Sequence, residues 1–315
     1  MPIVLSPLAL KIGTSSELDA FFSEEALAPK WIENASFTGR AHLATNKLDS
    51  HYMARLNWLF HQLIPLLPKD WQSKPIVILM PAFAASSPDA PSNLFQLYAS
   101  QLPALSEHSQ VHLYPYGRSA FLLALTKLQE LLSDDATESV LVIAVDSHRR
   151  LCLDSDSSCL PHYPFDASGV TACDGMALIE VKVDSEGLEL YWQNKVAQAH
   201  VNTSGSAVAN LFRHFNKQCL KNIDAIHLPL NNSQPMVDEW ITQLPPLASY
   251  FNDELKTVFN GIRVGDLGCL TGMFNVLHTQ YLYQKKILDD DQTVMQLDIA
   301  DGLYRSAALF GWLDE

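Results

Sequence analysis

The sequence predicts an α/β fold in which helices cover both faces of a largely parallel sheet. Two short apolar runs, residues 76–80 and 140–145, have the length and composition of strands that are buried on both faces. Segments of helical periodicity precede them, at 53–67 and 119–132. Strands that alternate with helices of this length are typical of α/β proteins. A similar succession recurs in the second half of the chain and predicts a duplicated unit.

The other elements follow from the same patterns. In the first half we expect, in chain order, the helix 53–67, the strand 76–80, a loop at 86–91, a strand at 111–114, the helix 119–132 and the strand 140–145. In the second half we expect strands at 175–183 and 188–192, the helix 206–219, the strand 225–228, the helix 272–286 and the strand 294–297. The turn 184–187, which ends in Gly187, predicts that the strands on either side of it form a β-hairpin.

The composition is that of a globular protein with an acidic surface. Of the 315 residues, 48% are hydrophobic and 18% charged, which permits a sizeable core and excludes a disordered chain. The 21 Lys and Arg residues against 35 Asp and Glu residues give a net charge of −14, which excludes nucleic acid as a partner. No long linker divides the chain. We therefore expect one compact pseudo-symmetric unit, with an N-terminal half at 1–185 and a C-terminal half at 186–315.

The cysteines indicate a reducing compartment and argue against a zinc site. The apolar segments argue against a membrane-spanning helix. Five cysteines, an odd number, are spread through the chain: Cys152, Cys159, Cys173, Cys219 and Cys269. This pattern favours the reducing cytoplasm over a disulfide-bonded secreted protein. The spacing of the first three with His162 fits no zinc pattern, so we expect no metal. No apolar stretch approaches the roughly 20 residues of a membrane-spanning helix, so we expect no membrane attachment.

Three segments carry a resemblance to a known family. Pro-Phe-Asp-Ala-Ser at 164–168 is followed by Cys-Asp-Gly-Met-Ala-Leu-Ile-Glu at 173–180, the apolar strand before them ends in Asp146-Ser147, and Gly-Asp-Leu-Gly-Cys-Leu-Thr-Gly occupies 265–272. In this order and spacing the segments resemble the β-ketoacyl synthases of the thiolase-like superfamily. Weaker matches extend the resemblance over most of the chain.

The resemblance implies a layered fold and a defined catalytic apparatus. Members of this family have two similar halves, stacked as helix, sheet, helix, sheet and helix, and commonly form dimers. Their reaction needs a cysteine nucleophile at the N-terminus of a buried helix and two histidines that act on the extender unit. In this chain the matching helix is 119–132.

The positions that the resemblance assigns to the reaction are changed. The nucleophile position falls at Gly117 or Arg118, the first histidine position at Leu230 and the second at Asp266. The family's lysine falls near Gly261, and its C-terminal Gly-Phe-Gly-Gly-Thr-Asn turn is reduced at 301–305. No cysteine lies within 1–151, so no shift of register restores the nucleophile. We therefore expect no catalytic residue and no cofactor.

Two nearby residues offer relocated chemistry. His227, three residues before Leu230, is either a displaced base or a polar residue at a strand end that local hydrogen bonds satisfy. Ser119 is either a substitute nucleophile or a cap of the helix that it begins. In both cases the sequence favours the structural alternative.

Arg118 at the start of a buried helix requires a nearby anion. A cation is unfavourable at a helix N-terminus, and an unpaired buried charge costs several kcal/mol. Asp266 replaces a histidine that faces the nucleophile in the family, so we predict an Arg118 to Asp266 contact that fills the former pocket. The alternative is that Arg118 turns to solvent while Asp266 caps the turn at Leu267.

These observations predict a catalytically inactive protein that acts by binding other proteins. The resemblance implies a homodimer, or a heterodimer with a ketosynthase-like chain as in chain-length factors, through the edge strand 111–114. A second alternative is an accessory protein, like those encoded beside bacterial secretion effectors. A third is an acyl-transferring or decarboxylating enzyme with relocated residues. The acidic charge disfavours docking of acyl carrier proteins, which are themselves acidic.

Overall fold

The structure is a computed structural model that describes most of the chain. The described residues are 1–23, 26–33, 37–45, 51–152, 159–160, 169–198, 205–219 and 221–314. The motif at 164–168 and His162 lie outside these ranges, so the expectations that rest on them are not addressed.

The described residues contain the following elements. The strands are β1 (Ile3–Ile12), β2 (Lys30–Glu33), β3 (Thr38–His42), β4 (Ile76–Leu79), β5 (Val111–Tyr114), β6 (Val140–Ser147), β7 (Ala172–Val183), β8 (Gly187–Ala197), β9 (Ile223–His227), β10 (Phe251–Val258), β11 (Val294–Ile299) and β12 (Tyr304–Leu313). The helices are α1 (Leu18–Phe22), α2 (Tyr52–Leu63), α3 (Ala90–Gln101), α4 (Ala120–Leu132), α5 (Ser206–Gln218), α6 (Gln234–Trp240), α7 (Asn260–Val264) and α8 (Thr271–Gln284).

The strand order contains the same arrangement twice. Within the described ranges, twelve strands are connected, and the main path runs β10-β9-β11-β12-β8-β1-β7-β6-β4-β5. Read outward from its middle, this path gives β1, β7, β6, β4, β5 on one side and β8, β12, β11, β9, β10 on the other. In each block the two inner pairs are antiparallel and the two outer pairs are parallel. The blocks meet where Ile3 pairs with Leu188, and the hairpin β2–β3 joins through β3 to β7.

Alternating side chains along the strands separate three buried layers. Val77 and Phe310 face a central layer built around α4 and α8. Their neighbours face outward, Ile78 toward α2 and α3, and Leu309 toward α5 and α6. Because strand side chains point alternately to the two faces of a sheet, each block buries both of its faces. The layered α/β fold that the sequence predicted is confirmed.

The predicted hairpin between 175–183 and 188–192 is wrong. Both strands exist, but β1 lies between them and pairs with β7 from Ile3 opposite Val183 to Ile12 opposite Gly175. β8 pairs instead with β12, where Gly187 lies opposite Leu313. The turn after Val183 therefore crosses from one block of strands to the other. The reason is that β1, and not β8, takes the place beside β7.

Several bounds also differ from the expectations. α4 begins at Ala120 after a 3₁₀ turn, Gly117–Ser119, and α8 is Thr271–Gln284 instead of 272–286. The helix expected at 53–67 ends at Leu63 and continues as a 3₁₀ turn. The sequence reading missed β1, β2, β3, β10 and β12 entirely.

Candidate functional site

The start of α4 lies in the central layer, and the resemblance assigns the nucleophile position to this place. Gly117 adopts a φ of 55°, a conformation that favours glycine, and a Cβ there would meet Ala82 at 3.2 Å. Arg118 follows and is only 2% exposed. A guanidinium group is therefore buried beside the N-terminus of a central helix.

Two carboxylates hold this guanidinium. Arg118 Nε donates to Asp266 Oδ1 at 3.2 Å, and Nη2 donates to Asp266 Oδ2 at 2.5 Å, which makes a bidentate pair. Nη1 donates to Asp301, a partner that the sequence did not reveal. The predicted Arg118 to Asp266 contact is confirmed, and the alternative in which Arg118 turns to solvent is wrong. Asp266 also accepts the backbone N–H of Gly268 at 3.2 Å, so it braces the turn before α8 as well.

Asp266 is an ionised carboxylate. Burial by itself raises its pKa, but the charge of Arg118, with hydrogen bonds from Arg118 and Asn231, holds the pKa well below the usual range. Asn231 Nδ2 donates to Asp266 Oδ2 at 2.9 Å. This asparagine directly follows Leu230, so the loop after β9 does approach the site, with an amide where the resemblance would imply an imidazole nearby.

The positions that the resemblance assigns to the first histidine and the lysine lie in close backbone contact. A Cβ on Gly261 would overlap the carbonyl oxygen of Leu230. Neither residue carries a polar side chain, so neither can act as an acid or a base.

A small cavity remains beside the ion pair. Its volume is about 30 Å³. The residues that line it include Tyr52, Ala82, Gly117, Asp146, His148 and Asp266. This space suits one or two water molecules, whereas pockets for small organic ligands usually measure roughly 300 Å³ or more.

A buried carboxyl that the sequence reading did not assign to the site, Asp146, lies at the end of β6. It accepts the hydroxyl of Tyr52 at 2.8 Å and the backbone N–H of Cys269 at 2.7 Å. Burial raises its pKa to about 7, although these hydrogen bonds act in the opposite direction. Its position at the end of an apolar strand was visible in the sequence, but its contacts across to α8 were not.

Asp298 occupies the matching place in the second block. Asp146 lies opposite Gly175 on the next strand, and Asp298 lies opposite Ser306 in the same way. The side chain of Asp298 accepts from Gln296 at 2.7 Å, while its Oδ1 has no hydrogen-bond partner among the described residues. Burial raises the pKa of Asp298 to about 7.

The two relocated candidates are both buried in the interior. Ser119 is wholly buried, and its hydroxyl donates to the carbonyl oxygens of Asp298 at 3.3 Å and Tyr304 at 3.4 Å. Its side chain does not cap α4, so that expectation is wrong. His227 is 1% exposed, and its ring nitrogens lie 3.4 Å from Asn260 Nδ2 and 3.3 Å from Thr279 Oγ1. Burial and the neighbouring His278 lower its pKa, so the ring is neutral and satisfied locally.

The cysteines form no disulfide bonds with one another, and all except the half-buried Cys159 are buried. Cys269 stands before α8 where Arg118 stands before α4, each after a glycine of positive φ. Burial raises the pKa of Cys269 far above its ordinary value, so it remains a thiol.

The parts of the chain that the structure describes contain no group of three or more His, Cys, Asp or Glu side chains that could hold a metal ion. None of the helices in the described ranges has both the length and the apolar character needed to cross a bilayer.

Comparison with known proteins identifies the fold. The sequence matches no protein-family model, and a search of curated proteins finds no match. The ketosynthase from module 6 of the bacillaene synthase of Bacillus subtilis 168 matches with a TM-score of 0.68 and 9% identity, covering 99% of this chain and 72% of that chain. The PfaC ketosynthase–chain length factor matches with a TM-score of 0.60 and 11% identity, covering 99% of this chain and 43% of that chain.

A third solved structure, AntDE:AntF, is a type II PKS acyl-carrier protein in complex with its ketosynthase. It matches with a TM-score of 0.56 and 11% identity, and the match covers 99% of both chains. Such identities establish a common fold and not a common activity. The chain therefore has the thiolase-like fold of the ketosynthases.

Proposed function

We propose that this protein is a catalytically inactive, ketosynthase-like protein that acts by binding other proteins. The observation that carries the proposal is the buried ion pair of Arg118 and Asp266 at the start of α4. A guanidinium group stays protonated at any physiological pH and cannot attack a thioester.

The remaining degenerate positions support the same proposal. Gly117 has no side chain to act as nucleophile, Leu230 replaces the first histidine, and Asp266 is committed to Arg118. The residual cavity of about 30 Å³ leaves no room for an acyl chain. We further propose that the division into halves lies at 185/186, because the same strand order recurs on either side of the turn that joins β7 to β8.

The edge strand β5 is the binding surface that we propose. It is the last strand on its side of the sheet path, and its four residues are half-buried. Ile76 N donates to Gln110 O, and Met80 N donates to Tyr114 O, so the even-numbered residues bond to β4. Because bonding groups alternate along a strand, Val111 and Leu113 present their N–H and C=O groups to the open edge.

The partner that we propose is a second copy of this chain or a ketosynthase-like chain. A strand added to this edge would satisfy the outward groups of Val111 and Leu113 and extend the sheet across the interface. The matched structure that joins a ketosynthase to a chain length factor provides the precedent for pairing with a related chain. The odd number of cysteines, spread through the chain and joined by no disulfide, supports the cytoplasmic location that we propose.

The experiment compares Leu113→Pro with Leu113→Ala in analytical ultracentrifugation. Proline removes the outward N–H of residue 113, whereas alanine keeps it and shortens the side chain. We expect the wild type and L113A to sediment at twice the 35.1 kDa of one chain, and L113P to sediment as a monomer. A wild-type monomer would exclude the homodimer, and failure to co-purify with a ketosynthase-like protein would then leave the accessory role. A dimeric L113P variant would exclude β5 as the interface.

A further inference from the structure

The two end strands of the sheet path differ in how well they resist pairing with another strand. β10, at one end, carries the exposed charged residues Asp253, Glu254 and Lys256. Its pairing with β9 is also irregular between Phe251 and Lys256. Exposed charges and irregularities are the features that keep sheet edges from associating. β5, at the other end, has no Asp, Glu, Lys or Arg, and its pairing with β4 is regular, so its edge is suited to pairing.

The sequence around β5 lacks the acidic residues that are frequent in the rest of the chain. The protein has 35 Asp and Glu residues, but none lies between Glu107 and Glu130. Burial and the charge of Lys127 lower the pKa of His112, so its imidazole is neutral at neutral pH. Lys127 and Glu130, which face His112 from α4, are paired with each other. A second copy of this acidic chain can therefore approach β5 without bringing like charges of the two strands together.

The hydrogen-bonding groups of β5 limit how two copies of the strand can pair. Val111 and Leu113 present their N–H and C=O groups to the open edge, because the even-numbered residues bond to β4. In an antiparallel pair, two residues that exchange both hydrogen bonds must each present these groups to the other strand. Two-fold symmetry then allows registers whose axis passes through residue 111, 112 or 113.

Pro115 and the start of the strand favour one of these registers. With the axis at His112, Val111 of each copy lies opposite Leu113 of the other, and every outward N–H and C=O of both residues has a partner. With the axis at Leu113, Val111 lies opposite Pro115, which has no N–H to donate. With the axis at Val111, Leu113 lies opposite Ser109, which precedes the strand.

We propose that two copies of this chain pair antiparallel through β5, with His112 on the two-fold axis. This inference rests on the proposed function, which names β5 as the binding surface, and it adds the partner and the register. Val111 and Leu113 contact the outer layer, so on that face Val111 packs against Leu113 of the second copy. His112 lies beside Val77, which faces the central layer, so the two imidazoles meet on the inner face.

The test is disulfide cross-linking of full-length variants that each gain one cysteine. The residue on the axis lies opposite its own copy in a non-hydrogen-bonded pair, with Cα atoms about 4.5 Å apart, which a disulfide can span. With the axis at His112, the Cα atoms of the two copies of residue 111, or of residue 113, are roughly 8–9 Å apart, which is too far. All variants carry Cys159→Ser, because the other native cysteines are buried.

We expect His112→Cys, treated with oxidised glutathione, to migrate at twice the 35.1 kDa of one chain in non-reducing electrophoresis and to return to that mass with dithiothreitol. Val111→Cys and Leu113→Cys are the matched controls and should stay at the mass of one chain. The double variant V111C/L113C leaves His112 intact. It should cross-link although neither single variant does, because this register places residue 111 of each copy opposite residue 113 of the other.

The other outcomes separate the register from the interface. Cross-linking of V111C or L113C alone overturns the axis at His112 but keeps β5 as the interface. If neither H112C nor the double variant cross-links while the wild type sediments as a dimer, pairing through β5 is overturned. A wild-type monomer overturns both this inference and the homodimer of the proposed function. If H112C fails to fold, the double variant decides.

Discussion

Arg118 and Asp266 are buried so deeply that each depends on the other for its charge. Side chains with 3% and 1% exposure have lost almost all of their hydration. Removing one partner of such a pair leaves an uncompensated buried charge, which is a far larger perturbation than breaking an ion pair at the surface.

We therefore predict that Arg118→Met lowers the free energy of unfolding by about 3–5 kcal/mol, measured by urea denaturation. The double variant R118M/D266N should lose less than the single one, because one of the two carboxylates left without Arg118 can then no longer ionise. Arg213→Met is the control, because Arg213 is exposed on α5 and its guanidinium donates to the Asn210 side chain in an exposed hydrogen bond. A loss within about 0.5 kcal/mol for R118M would contradict the ion pair.

The burial of Asp298 carries a desolvation cost that its hydrogen bonds do not fully offset, because one of its oxygens has no hydrogen-bond partner among the described residues. Its pKa is raised from 3.8 to about 7, so the folded protein binds this proton more tightly than the unfolded chain does. The contribution of Asp298 to stability is thus fully present below about pH 4 and is lost as the pH rises through about 7.

We predict that Asp298→Asn gains stability relative to the wild type as the pH rises from about 4 to about 8. The quantity to measure is the difference in the free energy of unfolding at each pH, which cancels the titration of other groups. A difference that stays constant over this range would show that Asp298 is not perturbed in the folded state.

At the scale of elements, the two central helices begin in the same way. Gly117 and Gly268 have φ values of 55° and 54°, and each starts a 3₁₀ turn that leads into a helix. At Gly268 the close approach is severe, because a Cβ would overlap the Asp146 carboxylate. The turn before α8 therefore packs directly against the end of β6, with no space for a side chain at residue 268.

Gly268→Ala should lower the free energy of unfolding by at least about 2 kcal/mol, through backbone strain and overlap with Asp146. Gly302→Ala is the matched control, because a Cβ there meets only Ala82 at the ordinary distance of 3.6 Å. Thermal unfolding of both variants checks this, and equal midpoints would refute the fitted contact.

The elements that could be predicted from the sequence are those whose own residues form a recognisable pattern. β4, residues 140–145 of β6 and residues 120–125 of α4 are continuous apolar runs, and such runs are easily recognised in a sequence. β1 was hidden because it contains Pro7 and pairs with residues far along the chain, with a register shift between Pro7 and Ala9. The hairpin predicted between β7 and β8 is wrong for the same reason. The turn residues at 184–187 carry no information about a third strand, β1, that lies between the two.

The same distinction holds for the site. The Arg118 to Asp266 contact could be predicted because a buried charge demands a partner, and the resemblance named the residue that faces it. Asp301 and Asn231 could not be predicted, because they reach the site only through the docking of a turn and a loop. For Asp146 and Asp298, the sequence indicates a place near the end of a strand but not the contacts that the side chains make.

For the whole molecule, the ion pair joins the two blocks of strands. Arg118 precedes α4 of the first block, whereas Asp266 and Asp301 belong to segments of the second. At the position where the resemblance implies an active site, this chain therefore has ion pairs that link the two blocks of strands. This arrangement, the small cavity and the edge strand β5 are the features on which we base the proposed binding role.

Intact-protein mass spectrometry decides whether the site performs acyl chemistry. The purified protein is incubated with malonyl-loaded and acyl-loaded carrier protein, beside an active ketosynthase as positive control. We expect no covalent adduct on this chain and no decarboxylation above that of the loaded carrier protein alone. A stoichiometric acyl adduct, on Ser119 or on any cysteine, or accelerated loss of carbon dioxide, would show that the site is active and that our proposal is wrong.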